Sequence, residues 1–363
     1  MLADLAAQLV SVDSVNPGLV ANGAGEGAVA HLVAERLERV GLEVHVEEAA
    51  PGRPNVVGVA RGTGGGRTLL LNAHTDTVGL LEPDGGTSPR REDGRLYGRG
   101  AYDMKASLAA IMLAGGEAAR RSLRGDVVVT AVCDEEVASI GTARIAERYR
   151  ADAAIVSEPT ELSLALAHKG FAAFEVETRG RAAHGSRPDL GVDAIARMGH
   201  VLVRLEELDR ELRAKPTHPL LGSGSVHASL VSGGQEYSSY PERCLLQGER
   251  RTIPGETVAD VEQELRGLLG ELDGATRVVF SRGPFEASED EPLVELLRRH
   301  AGDPEVVGVP FWADSALLAD AGIPTVVFGP AGDGAHAAVE WVDLDSAERC
   351  LEIYTAVALE LCA

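Results

Sequence analysis

Apolar and polar positions along this chain follow two rhythms, one of period two or less and one of helical spacing. Residues 26–40 (EGAVAHLVAERLERV) set apolar side chains on one helical face, with Gly41 placed as a C-cap. Three short, almost wholly apolar runs follow: 68–73 (TLLLNA), 126–132 (DVVVTAV) and 153–156 (AAIV). Runs so short, bounded by Gly and polar residues, predict strands buried on both faces. A helical pattern at 105–121 (KASLAAIMLAGGEAARR) separates the first two. This alternation predicts an α/β fold: a mixed, mostly parallel sheet with helices on both faces.

The middle of the chain reads differently. Residues 171–178 (FAAFEVET) alternate as a half-exposed strand does, and a helix is predicted at 193–208. Strands near 226–231 and 244–250, a helix at 257–272 and a strand at 276–280 complete a small α+β layer. The first pattern resumes near 291 with a helix, then a strand at 324–328 (PTVVF) and a closing helix at 346–361. The expected organisation is a catalytic domain of two segments, 1–170 and 286–363, with 171–285 as an inserted α+β domain.

Composition narrows the partners. The 363 residues carry a formal net charge of −22, which repels nucleic acid and anionic lipid. No run of about 18 apolar residues exists, so a membrane span is not expected. The N-terminus reaches Arg36 before its first basic residue, unlike a secretory signal. Cys133, Cys244, Cys350 and Cys362 lack CxxC spacing, which predicts reduced thiols and a cytoplasmic protein.

The chemistry collects just after the apolar runs. His74 and Asp76 follow the first, Asp134, Glu135 and Glu136 the second, Glu158 the third, and His336 comes shortly after the fourth. Asp103 opens the helical pattern between the first two. In open α/β sheets, ligands bind outside the carboxyl ends of the strands. A lone carboxylate after a strand is usually a helix cap. Two imidazoles with several carboxylates and no thiolate at one edge instead suit Zn²⁺ or a similar divalent ion.

Five ordered motifs carry a resemblance: HTD at 74–76, GRGAYDMK at 98–105, DEE at 134–136, SEP at 157–159 and GAHAAVE at 334–340. Together with RAAHGS at 181–186 and ERRTIPG at 249–255, they resemble the M20 metallopeptidases, over nearly the whole chain. That family includes acetylornithine deacetylases, succinyl-diaminopimelate desuccinylases, aminoacylases and carboxypeptidases. The resemblance implies a zinc-peptidase-like catalytic domain, an inserted dimerisation domain and a homodimer. It implies two divalent metals, zinc by default, with cobalt or manganese fitting the same ligands. His74, Asp103 and Glu158 would hold one metal, and Asp103, Glu136 and His336 the other. Asp76 would orient His74 from behind. Glu135 would be the general base that deprotonates a water shared by the metals. His184 would reach the partner subunit's site and stabilise an oxyanion, and the bond before Met104 would be cis. Arg251, or Arg250 in its place, would grip the substrate carboxylate.

The implied activity is removal of an N-acyl group, acetyl or succinyl, from an amino acid in biosynthesis. A dipeptidase or carboxypeptidase is the alternative, since both reactions break an amide beside a free carboxylate. A non-catalytic amino-acid-binding protein would lack a ligand or the base, and none is missing here. Two departures leave the substrate open. Ser239-Tyr240 precede Pro241 where many members have Asn before Pro, and Trp312 adds bulk where many read GTDA.

Overall fold

The structure is a computed structural model that describes residues 1–79 and 86–363. The chain divides into two compact units. Met1–Leu166, Ala287–Val307 and Ala313–Ala363 form the first, and Ala167–Glu286 with Gly308–Trp312 the second.

In chain order the first segment contains α1 (Leu2–Val10), α2 (Gly27–Arg39), β1 (Glu43–Ala50), β2 (Arg53–Ala60) and β3 (Leu69–His74). It continues through β4 (Arg90–Glu92), β5 (Arg95–Tyr97), a π-helical turn (Ala101–Lys105), α3 (Ala106–Ala119) and β6 (Val127–Val132). It closes with α4 (Ile140–Arg148), β7 (Ala153–Val156) and β8 (Leu164–His168). The second unit holds β9 (Gly170–Arg179), α5 (Ala194–Ala214), β10 (Ser225–Gly233), β11 (Arg243–Thr252), α6 (Val258–Leu269), β12 (Gly274–Arg282) and β13 (Phe285–Glu286). The chain ends with α7 (Pro292–Ala301), β14 (Val306–Val309), α8 (Ser315–Asp320), β15 (Thr325–Val327), β16 (Gly332–Asp333), β17 (Trp341–Asp343) and α9 (Leu344–Leu361).

The main sheet runs β1-β2-β6-β3-β7-β15-β8. Its centre, β6-β3-β7-β15, is parallel, and antiparallel neighbours flank it on both sides. Every residue of β3, β6 and β7 is buried, as unbroken apolar runs require. Helices α1, α2, α3 and α9 pack as one layer, while α4 packs on β1, β2 and β6 and, beside it, α8 packs on β7 and β15. Gly115 lets α3 lie close on β6, because a Cβ there would meet Val129 Cγ2 at 2.6 Å. Register decides where chemistry can gather. His74 pairs with Val132 and Asn72 with Val156, so three parallel strands end at one edge.

The hairpin β1–β2 has no counterpart among the sequence expectations. Strand β1 is an exposed edge carrying Glu43, His45, Glu47 and Glu48, so it shows no apolar run. The helix expected at 105–121 is α3, Ala106–Ala119, and the π-helical turn precedes it.

The second unit is an antiparallel sheet ordered β10-β11-β9-β12. One face packs on α5 and α6 through Phe174, Val176, Leu246, Met198, Val201, Val261 and Leu265. Thr257 and Asp260 form a capping box at the start of α6. Helix α5 extends past the expected residue 208 to Ala214. Among the described residues, no helix is long and apolar enough to cross a membrane.

Candidate metal centre

Five of the expected ligands meet at the carboxyl edge of the first unit's sheet. His74 ends β3, and its Nε2 lies 3.0 Å from Asp103 Oδ1 and 3.9 Å from Glu158 Oε1. Asp103 sits in the π-helical turn with non-helical backbone angles, and its bond to Met104 is cis. The other Asp103 oxygen, Oδ2, lies 3.4 Å from His336 Nε2, which lies 3.0 Å from Glu136 Oε2. Two sets of ligand atoms result, each within 4.8 Å of one another: His74, Asp103 and Glu158, and Asp103, Glu136 and His336. Asp103 belongs to both.

The donor chemistry fits divalent cations. His74 Nδ1 pairs with the Asp76 carbonyl oxygen at 2.9 Å. A carbonyl only accepts, so Nδ1 carries a proton and Nε2 faces the carboxylates as the ligand atom. Burial works against a charged His74, yet Asp103 and Asp76 outweigh it and hold the ring's pKa well above its usual value. For Asp103, burial is likewise outweighed by hydrogen bonds from His336 and His74, which keep its carboxyl below the usual range. In the remaining carboxylates burial and like charge prevail over the partners they have. Burial, then the charge of Glu158, pushes Glu135 well above the carboxylate range. Burial with Asp103 raises Glu136, and burial raises Glu158 despite the nearby His74. Burial also lifts Asp314 to about 6, although Thr142 donates a 2.6 Å hydrogen bond to it. A cluster of buried carboxylates that resists ionisation is what a pair of cations would relieve.

The expected role of the Asp76 carboxylate is to orient His74 from behind. That carboxylate stands 3.6 Å from His74 Nδ1, farther than the residue's own carbonyl oxygen. Instead it accepts the backbone N–H groups of Glu135 at 3.1 Å and Glu136 at 3.2 Å. Sequence reading also missed Glu340. This buried carboxylate accepts the backbone N–H groups of Gly100, Tyr102 and Asp103, and pairs with Arg99 Nη1 at 2.6 Å. Its only sequence signal was its place at the end of GAHAAVE.

His184 and Arg251 belong to the second unit. His184 is exposed, with Nδ1 2.8 Å from Ser186 Oγ and a bridge pairing to Ser239. Arg251 is part-exposed, bonded to Glu249 at 2.7 Å, with its guanidinium 5.5 Å from the centre of the Phe171 ring. Arg250 is buried and clamped by Glu256 and Glu264, both at 2.9 Å, which leaves it no free donor face for a substrate. Trp312 donates to the Gly283 carbonyl and stacks edge-on to His168 and Phe171, so its bulk is taken up by contacts within the second unit.

The sequence pattern of peptidase family M20/M25/M40 matches residues 70–360. An acetylornithine deacetylase of Myxococcus xanthus is 32% identical over 351 residues, covering 90% of each chain. Among solved structures, the aminopeptidase PepT of Bacillus cereus superposes with a TM-score of 0.80 at 19% identity, covering 100% of this chain and 98% of its own. The YXEP protein of Bacillus subtilis, a dinuclear metal-binding peptidase of the M20 family, gives a TM-score of 0.71 at 15% identity, covering 99% and 97%.

Proposed function

The chain belongs to peptidase family M20/M25/M40, as a metal-dependent hydrolase of linear amide bonds, and from that premise we propose that it removes an acetyl or succinyl group from an N-acylated amino acid. The observation that carries this reading is Asp103, shared by two three-residue donor sets, with Glu135 half-buried next to the ligand Glu136 in sequence and outside both sets.

In this reading His74, Asp103 and Glu158 hold one cation, and Asp103, Glu136 and His336 hold the other. Zinc is the proposed metal, and the same donors accept cobalt or manganese. When bound, the cations make a water acidic and polarise the amide carbonyl. Glu135 is free of both donor sets, so it takes the proton from that water and passes it to the leaving amine. A bound cation beside it would oppose the burial and like charge that raise its pKa. Arg251 pairs with the substrate carboxylate, a role supported by the engagement of Arg250 elsewhere. His184, exposed on the second unit, donates to the developing oxyanion of a partner subunit's site. A homodimer through the second unit is supported by its edge strand β10, which exposes Leu230 and Val231.

The test is metal-stripped protein given zinc or cobalt and a substrate panel: N-acetyl-ornithine, other N-acetyl amino acids, N-succinyl-diaminopimelate and dipeptides. Metal-dependent amine release from one acylated amino acid is the expected result. Release from dipeptides alone moves the protein to the peptidases of the family.

A further inference from the structure

The segment that carries Glu135 and Glu136 leaves β6 in an unusual backbone form. Asp134 has φ 69° and Ser139 φ 52°, both in the left-handed region that favours glycine. Such a turn holds its shape only where its surroundings fix it. Here one fully buried side chain, Asn16, joins the two carboxylates that fix it. Its Nδ2 lies 2.7 Å from Asp76 Oδ2 and 3.1 Å from Asp134 Oδ1. Asp76 in turn accepts the N–H groups of Glu135 and Glu136. Asn16 Oδ1 accepts the Gly18 N–H at 2.9 Å, which sets the orientation of the amide, and the Asn16 backbone N–H donates to the Thr77 carbonyl at 2.9 Å, which anchors the residue. Asp134 Oδ1 also takes Arg53 Nη2 at 2.8 Å, and Arg53 holds the buried Glu26 through Nε at 2.8 Å and Nη2 at 2.6 Å.

Residue chemistry explains why an amide stands there. Two buried carboxylates face one small space, and each needs a proton donor. A primary amide has two N–H protons on one atom and gives one to each acceptor without adding charge. A serine has a single proton to give, and a third carboxylate would repel both neighbours.

We infer that Asn16 is a positioning residue: by bridging Asp76 and Asp134 it fixes the turn that aims Glu136 at the second cation and Glu135 at the reacting water. This rests on the roles proposed above for those two glutamates. Asn16 touches neither substrate nor metal, and it acts through Asp76 and Asp134.

The experiment titrates metal-stripped wild type and Asn16→Ala with Co(II), follows the visible absorption bands, and measures kcat and KM on the substrate found by the panel. In Asn16→Ala the first Co(II) equivalent binds as in wild type. The second binds about 10–100-fold more weakly, and kcat at saturating metal falls by a similar factor with KM little changed. Asp134→Asn keeps the oxygen that Asn16 and Arg53 both use, so it stays near wild type, whereas Asp134→Ala copies Asn16→Ala. Wild-type cobalt binding and kcat in folded Asn16→Ala overturn the inference. If Asn16→Ala does not fold, equal behaviour of Asp134→Ala and Asp134→Asn overturns it. A wild type that binds two Co(II) and hydrolyses nothing sinks the deacylase reading alone, because the second-site affinity still decides the role of Asn16. A wild type that takes up no Co(II) overturns both.

Discussion

Replacing Glu135 by Gln preserves the size of the side chain and removes its power to take a proton. Glu135 is absent from both donor sets, so Glu135→Gln is expected to bind two metals per chain as wild type does. Its kcat should fall by about 10²–10⁴, the usual worth of a general base. Metal content by elemental analysis beside steady-state kinetics checks this, and substantial remaining turnover would remove Glu135 from the role. A second residue-scale prediction concerns Lys105, buried with its Nζ donating to the Val12 carbonyl at 2.8 Å. Burial pulls its pKa from 10.5 down to about 8, against the opposing charges of Asp13, Glu340 and Asp76. Between those two values the unfolded chain binds more protons than the folded one, so this residue makes stability rise with pH. Lys105→Met should flatten that rise, read as urea midpoints at neutral and alkaline pH with metal content matched. A wild-type slope unchanged in Lys105→Met would show that the ammonium is not desolvated in solution. The metal-set residues were legible from sequence because each follows a buried strand or lies in a motif. Asn16 and Glu340 were not, because their partners lie 60 and 240 positions away. A residue that serves a distant loop leaves no local periodicity, and Asn16 before Pro17 reads only as a turn.

At the scale of elements, the same contrast separates strands that were read from those that were not. Strands β3, β6 and β7 announce themselves because parallel, doubly covered strands are apolar throughout. The ribbon β16-β17-β5-β4 consists of strands of two or three residues, too short for any alternation to register. Yet it is this ribbon that brings Glu340, just before β17, to the turn bearing Asp103. Glu340→Ala would leave the N–H groups of Gly100, Tyr102 and Asp103 without this acceptor, and the buried Arg99 without its carboxylate. Breaking a buried pair from one side is expected to destabilise by about 3–5 kcal/mol. Metal affinity should fall too, since Asp103 serves both donor sets. Glu340→Gln keeps one acceptor oxygen and should fall between the two. Denaturant unfolding with metal titration measures both effects, and a stable Glu340→Ala with full metal affinity would show that the turn holds itself.

At the scale of the whole molecule, the proposal assigns roles to residues of both units. The first unit carries the donor sets and Glu135, whereas His184 and Arg251 belong to the second. Sequence reading expects an inserted α+β domain at 171–285 because its alternating strands differ from the buried strands around it. It could not assign the short segment Gly308–Trp312, which joins the second unit through the Trp312 contacts to Gly283, His168 and Phe171. If His184 serves a partner subunit's site, the two defects His184→Ala and Glu135→Gln complement one another. Each homodimer should be weak, with His184→Ala losing roughly 10²–10³ in kcat as the loss of one oxyanion donor does. A mixed dimer holds one site with both lesions and one with neither. Refolding the two variants together, and confirming mixed dimers by differential tagging, should restore activity in proportion to the mixed species. Mixed dimers with no recovery would place His184 in its own subunit's site or outside the reaction. A chain that stays monomeric while hydrolysing its substrate would remove the partner subunit from the mechanism.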